Sequence, residues 1–406
     1  MSSNYLTSDP ILGNIDLDDK LVTEAWLVDQ FVGSALFAAG YNSSFGSLGL
    51  NDTTGRSSPT QVGTLVNWKQ IAASGGSAPC AGGVKTDGTL WTWGGNNNAG
   101  TAGYGVLGNG TTTNYSSPIQ IGLLTNWKQI EFAAATGSSN LAAAIKTDGT
   151  LWTWGPNFYG QLGNGTAGNY YSSPIQVGTL TNWKQVACGS GNVVSIKTDG
   201  TLWAWGNNQY GQLGNGVTIT YSSPIQIGKL TDWKQVSLNY HATFAIKTDG
   251  TLWAWGWNPY GNLGNGTSID YSSPVQIGSL TNWKQIDVST GAVSPGIMAI
   301  KTDGTLWGWG RNYYSELGIG NSIAYSSPIQ IGSLTNWKQV SGGEYSFGAT
   351  KTDGTLWTWG RNNYGQLGNG TTVDYSSPIQ IGSLTNWKAV FCGYNLTFAT
   401  TYKDMG

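Results

Sequence analysis

The sequence predicts an all-β fold, a seven-bladed β-propeller closed by pairing of N- and C-terminal strands in one blade. Three observations predict it. Ser-Ser-Pro recurs seven times, with prolines at 59, 118, 174, 224, 274, 328 and 378, spaced 50 to 59 residues apart. Seven Trp-Lys pairs keep step with them, at Trp68, Trp127, Trp183, Trp233, Trp283, Trp337 and Trp387, and KTDGTLW appears six times between Lys85 and Lys351. The ends complement one another, each supplying half of a unit. Repeats of this period with strand-like rather than 3.6-residue patterning are propeller blades.

The unit from Trp233 shows the elements in order. Trp233 to Val236 reads as a first strand and Ala242 to Lys247 as a second. Asp249-Gly250 then signals a two-residue type I′ hairpin, with positive φ expected at both central positions. TLWAWG from Thr251 alternates as a third strand, the Gly-rich NPYGNLGNG forms a loop, and SSPVQIG is the fourth strand. At the C-terminus FATTYKDMG occupies the slot of FGATKTDG and lacks strands three and four. At the N-terminus SALFAAGYN, after Gly33, occupies the slot of GTLWTWGRN and lacks strands one and two. A closed ring explains that complementarity, and an open solenoid does not. The repeat slots hold 19 of the 21 tryptophans, so one architecture accounts for nearly all the large aromatic mass; only Trp26 and Trp257 fall outside.

Composition narrows the function classes. The chain is 39% hydrophobic and 12% aromatic, enough for a core, and carries a net charge of −2 with no basic stripe. Nucleic-acid binding by phosphate neutralisation is therefore not expected. No apolar run reaches the roughly 20 residues of a bilayer span, so no membrane insertion is expected. Three cysteines make no disulfide framework, and Cys188 and Cys392 share a slot suited to small buried residues. No catalytic residue set, metal-ligand spacing or cofactor motif emerges, and His241, the single histidine, reads as structural. The Asn-Gly-Thr sites at Asn109, Asn164, Asn265 and Asn369 read as turns. The acidic N-terminus has no signal-peptide pattern, which predicts a chain made without classical secretion.

The line HATFAIKTDGTLWAWGWNPYGNLGNG and the recurring WG-x-N-x-x-G-Q-L-G core resemble the repeat of the regulator of chromosome condensation family over about residues 33 to 406. The resemblance implies a seven-bladed propeller, and the regular NWKQ and KTDGTLWTWG wording looks most like the bacterial and tailed-bacteriophage versions. The plant ultraviolet-B photoreceptor of that family carries Gly-Trp-Arg-His-Thr in the first turn of each unit. The corresponding turns here, SLNYHAT and SGGEYSF, lack tryptophan, which argues against photoreception.

Alternating strand direction places the first turn of each unit and the loop after strand three on one face. The Asp-Gly hairpins and GSLTNW connections lie on the other. The second face is nearly invariant between units, and the first varies. Trp257, Arg311 and Arg361 fill the same slot of three consecutive units, and two of the chain's three arginines are among them. With Tyr240, Tyr313 and Tyr345 they form a candidate binding patch, since Trp, Tyr and Arg dominate interaction hot spots. Residues 1–32 form an arm outside the propeller of residues 33–406. Its Val22, Trp26, Leu27 and Phe31 fit one helical face, either a docking helix or a strap on its own propeller.

These features predict a non-enzymatic virion structural or recognition protein of a tailed bacteriophage, in the tail, baseplate, fibre or capsid. Its partners would be other virion proteins through the arm and a host-surface receptor or protein through the variable face. The alternative is a soluble inhibitor or adaptor in bacterial cytoplasm or outside the cell, like the bacterial β-lactamase inhibitor of this fold. A guanine-nucleotide exchange factor is the third reading.

Overall fold

Each repeat builds an antiparallel sheet because its glycines stand where the chain must reverse and its apolar residues alternate between reversals. The computed structural model describes residues 34–42, 44–76, 78–96, 104–133, 140–289 and 295–402. These carry 28 strands in seven four-stranded antiparallel sheets and, among the described residues, no helix. Blades 1 to 6 are continuous in sequence, beginning with the inner strands at Trp68, Trp127, Trp183, Trp233, Trp283 and Trp337. Blade 7 is composite: β1 (Leu36–Gly40) and β2 (Arg56–Gln61) join β27 (Trp387–Gly393) and β28 (Leu396–Thr401) in the order β2-β1-β28-β27. The closing register runs without interruption from Leu36 opposite Thr400 to Gly40 opposite Leu396. The predicted arm residues Val22, Trp26, Leu27 and Phe31 lie outside the described residues.

The Asp-Gly hairpin differs from expectation. Only the glycine is left-handed (Gly250, φ +78°), and the loop closes through Gly250 N–H to Lys247 O and Lys247 N–H to Thr251 O, both 3.0 Å. The Asp249 carboxylate accepts the Thr251 N–H at 2.9 Å and its hydroxyl at 2.7 Å. This local bond holds Asp249 at negative φ and produces a three-residue loop rather than a type I′ turn. A Cβ at Gly250 would lie 2.1 Å from Thr281 O, so the neighbouring connection also demands glycine there.

The hairpin threonine also accepts the indole N–H of the first tryptophan of strand three, as in Trp253 to Thr251 at 2.9 Å. Beside it the lysine of Lys-Thr-Asp-Gly is buried. Lys197 lies 3.5 Å from the Trp203 ring centroid and 4.7 Å from that of Trp183, and all six such lysines are held in this way. The indole faces attract the ammonium and offset part of the cost of burying it, while burial still holds Lys197 below the ordinary lysine value.

Two side-chain devices join neighbouring blades. On each inner strand of blades 1 to 6 a glutamine reaches across and pairs with the next blade's backbone. Gln235 donates to Ile286 O at 3.0 Å and accepts from Ile286 N–H at 3.2 Å, and Gln339 does the same to Val390 at 2.7 and 2.8 Å. Farther out, the second tryptophan of strand three fills the gap between blades. It donates to a carbonyl in the preceding blade's loop, as in Trp255 to Gln212 O and Trp359 to Glu316 O, both 2.9 Å. These rings are fully buried.

The inner strands surround an axial channel of about 290 Å³. Ala72, Glu131, Ala187, Ser237, Asp287, Ser341 and Phe391 take equivalent positions around it. Burial pushes the carboxyl of Glu131 up to about 8 and that of Asp287 to about 6. Asp287 accepts bonds from the Ser237 hydroxyl and from the N–H groups of Val288 and Gly342, at 3.0 to 3.2 Å.

Candidate functional site

The slot after each Trp-Gly projects on the variable face because its N–H continues the ladder to the first turn. Trp257 donates to His241 O at 2.9 Å, Arg311 to Pro295 O at 3.1 Å and Arg361 to Tyr345 O at 2.9 Å. The asparagine that follows is buried and fixes the loop. Asn362 donates to Thr371 O and Val373 O, each at 3.0 Å, and accepts from Leu367 N–H at 2.9 Å. The variable side chains thus stand on loops held by invariant hydrogen bonds, which lowers the ordering cost of recognition.

The structure gathers the six predicted residues into two groups. Arg311, Tyr313, Tyr345 and Arg361 meet around Tyr314. The Arg361 guanidinium carbon lies 4.7 Å from the Tyr314 ring centroid and 5.4 Å from that of Tyr345. That of Arg311 lies 5.0 Å from Tyr345 and 5.8 Å from both Tyr313 and Tyr314. Tyr313 is 71% exposed, presenting its ring at the rim. Arg311 also faces Glu316 at 3.9 Å, whereas no ion pair reaches Arg361 among the described residues. Under the arginines sits Glu344, 6% exposed, with one carboxylate oxygen unpartnered. Burial raises its carboxyl to about 7, against the pull of Tyr345, Arg361 and Arg311. Burial first, then the charge of Glu344, pushes the Tyr345 hydroxyl to about 12.

Tyr240 and Trp257 belong to the second group, centred on His241. The His241 ring lies 4.3 Å from Tyr240, 4.4 Å from Tyr210 and 5.8 Å from Trp257, and Tyr260 packs on Trp257 at 6.0 Å. Burial lowers His241 to about 4, against the opposing pull of a hydrogen bond with the Tyr240 backbone, so it is neutral; its Nδ1 has no hydrogen-bond partner among the described residues. No ring contact links this group to the arginine group among the described residues.

Sequence reading passed over Tyr314, Glu344, Tyr210 and Tyr260. Glu344 had a readable signal, as an acidic residue in a first turn (GGEYS) whose counterparts GSGN, NYHA and GYNLT carry none. Tyr314 and Tyr210 occupy the tyrosine slot of the loop core, where repetition hid their role. All three cysteines are free and buried, and no group of three or more His, Cys, Asp or Glu could hold a metal among the described residues.

Comparison with known proteins places the chain. Models of the Regulator of chromosome condensation (RCC1) repeat match residues 148–196, 199–246, 249–293, 303–349 and 353–400. The ultraviolet-B receptor UVR8 of Arabidopsis thaliana is 30% identical over 289 residues, 70% of this chain and 63% of the receptor. The human E3 ubiquitin-protein ligase HERC2 is 31% identical over 187 residues, 45% of this chain and 4% of the ligase. The chain thus spans less than two thirds of the length of these curated relatives. Among solved structures, Prp20p of Saccharomyces cerevisiae, described with its binding to Gsp1p and histones, superimposes with a TM-score of 0.75. It is 19% identical, with 94% of each chain covered. Human WBSCR16 gives 0.76 at 20% identity, covering 92% of this chain and 100% of that one. These relatives are eukaryotic, so the bacterial or phage origin expected from the repeat wording draws no support from them. The repeats matched over more than half its length, on the propeller described above, show that the chain belongs to the Regulator of chromosome condensation (RCC1) repeat family.

Proposed function

We propose that this protein is a non-enzymatic protein-binding propeller that recognises its partner through the variable face of blades 5 and 6. One observation carries the reading. Arg311 and Arg361 stack on Tyr314 and Tyr345 above the buried Glu344, on loops whose scaffold is otherwise uniform. Stacked arginines and tyrosines give large contact area with little side-chain entropy to lose. Prp20p and the family at large support protein binding as the class of activity; at 19% identity they support no particular partner.

The virion placement and the soluble inhibitor or adaptor remain two settings for the same surface, and localisation follows from whichever holds. The virion setting rests on the repeat wording and the arm, since none of the relatives named above is a virion protein. Exchange-factor activity rests on fold alone. The test is quantitative mass spectrometry of density-purified particles and the soluble fraction of the native source. Material co-purifying from either is then challenged with the wild-type protein and the Arg311→Ala/Arg361→Ala variant. A fixed ratio to a capsid protein supports the virion setting, and confinement to the soluble fraction removes it. Partner retention unchanged by the double substitution would overturn the assigned surface.

A further inference from the structure

The invariant face carries two rings of side chains that the fold itself does not require. The first is apolar. Every connection into an inner strand places a leucine three residues before the Trp-Lys pair, and all seven are 45 to 50% exposed. Leu123, beside the second of them, is 92% exposed. Serine or threonine flanks most of these leucines, so the turn accepts polar residues, yet the half-solvated slot is leucine each time. The second ring is cationic. In all seven blades the pairing of strands one and two slips by a residue just after the tryptophan, which makes the following lysine the extra residue of a β-bulge. Bulges re-aim the side chains they carry. Five of these lysines are exposed, and Lys338 and Lys388 lean on Tyr402.

Both rings lie on the hairpin face, since each hairpin bonds to the adjoining connection, as in Thr147 N–H to Asn126 O at 2.7 Å and Trp127 N–H to Gly88 O at 3.0 Å. Six hairpin lysines, seven bulge lysines and Lys229 stand there against six hairpin aspartates and Asp232, a surplus of seven positive charges in a chain of net charge −2. The fold thus segregates charge that the overall balance hides.

We infer that the invariant face docks flat on a bilayer surface of anionic lipid, with the leucines entering the headgroup layer and the bulge lysines meeting the lipid charges. Three arguments choose this occupant. Equivalent positions on a closed ring lie at one height along its axis, so a planar, laterally uniform surface touches all seven at once. Apolar side chains beside lysines match the two attractions that hold proteins at a lipid interface. A second copy would set one lysine ring against another, and a nucleic-acid duplex offers the leucines no apolar layer. This is docking on a surface rather than a span, and it turns the variable face towards solution. It does not depend on what that face binds.

The test is co-sedimentation of the full-length protein with phosphatidylcholine vesicles, with and without phosphatidylserine. Binding is expected only with phosphatidylserine, weakening as salt is added. Lys128→Gln/Lys184→Gln/Lys234→Gln should lower the partition coefficient on the order of 100-fold, and Leu180→Ser/Leu230→Ser/Leu280→Ser on the order of ten-fold, each with its urea midpoint checked. Orientation is read without depending on those variants. An environment-sensitive fluorophore at Leu230→Cys should shift to the blue on vesicles, and one at Phe158→Cys on the variable face should not; the native cysteines are buried. Equal binding to both vesicle types, or to neither, would overturn the inference. So would partition unchanged by the leucine substitutions, equal shifts of the two fluorophores, or binding of duplex DNA in place of vesicles.

Discussion

Blade 4 and blade 7 are the same fold made in two ways, and the difference shows what holds a propeller together. Blade 4 is joined to its neighbours by side chains on both sides: Gln185 and Gln235 clasp backbone across its seams, and Trp255 and Trp309 fill the gaps. Blade 7 receives the Gln339 clasp but returns none, because Ala389 stands where the glutamine would be, and it fills no gap, because Ala39 stands in the tryptophan slot. It keeps the five-pair register that blade 4 also has between strands two and three, but here, between β1 and β28, that register ties the two ends of the propeller together. Main-chain hydrogen bonds depend little on side-chain identity, so the closing pair tolerates the loss of the repeat's signature residues.

That comparison can be broken from the strong side first. Trp255→Ala removes a fully buried ring and its bond, and is expected to cost about 3–5 kcal/mol, read as a lower urea midpoint. A loss under half that size would mean that indoles do not carry the junctions. Gln235→Ala makes an ordinary seam resemble the one after blade 7 and should cost about 2 kcal/mol, since both bonds to Ile286 go. The converse, Ala389→Gln, sharpens the contrast: it should add about 1 kcal/mol if the clasp alone is missing at that seam. No gain would show that the neighbouring backbone is positioned differently there.

A weaker effect comes from the axis, where all the blades meet. Glu131 and Asp287 are pushed up to about 8 and 6, so the folded protein holds protons that the unfolded chain releases. Stability should therefore fall as pH rises from the ordinary glutamate value of 4.5 towards 8, with the sign set by the larger proton count of the native state. Glu131→Gln should flatten the upper part of that curve in urea titrations at successive pH values. The smallest change is expected at the variable face: Arg361→Ala should leave the urea midpoint within about 0.5 kcal/mol of wild type, whatever it does to binding. A large loss there would make the arginine group structural rather than a recognition surface.

The candidate site was legible in part. Equivalent slots on a ring put Arg311 and Arg361 on adjacent blades, and tyrosines beside them followed from the same counting. What counting could not give was the division into two groups, because distance across a face depends on blade geometry and loop shape. Nor could it reveal the buried Glu344 beneath the arginines, since burial of a turn residue is decided by neighbouring blades. The same limit explains the lysines: in sequence each is a charge beside a turn, and only the approach of two strands closes the indoles over it.

Sequence by itself determined the number of blades, the strands in each and the split of one blade between the two ends. These follow from glycine positions, two-residue alternation and repeat spacing, all local properties of the chain. Tertiary structure decided the rest. It sent the inner-strand glutamines to the next blade rather than to solvent, and the second indole of strand three to a carbonyl of the preceding blade. Those outcomes depend on atoms some 50 residues apart being brought within hydrogen-bond distance, which no local pattern encodes.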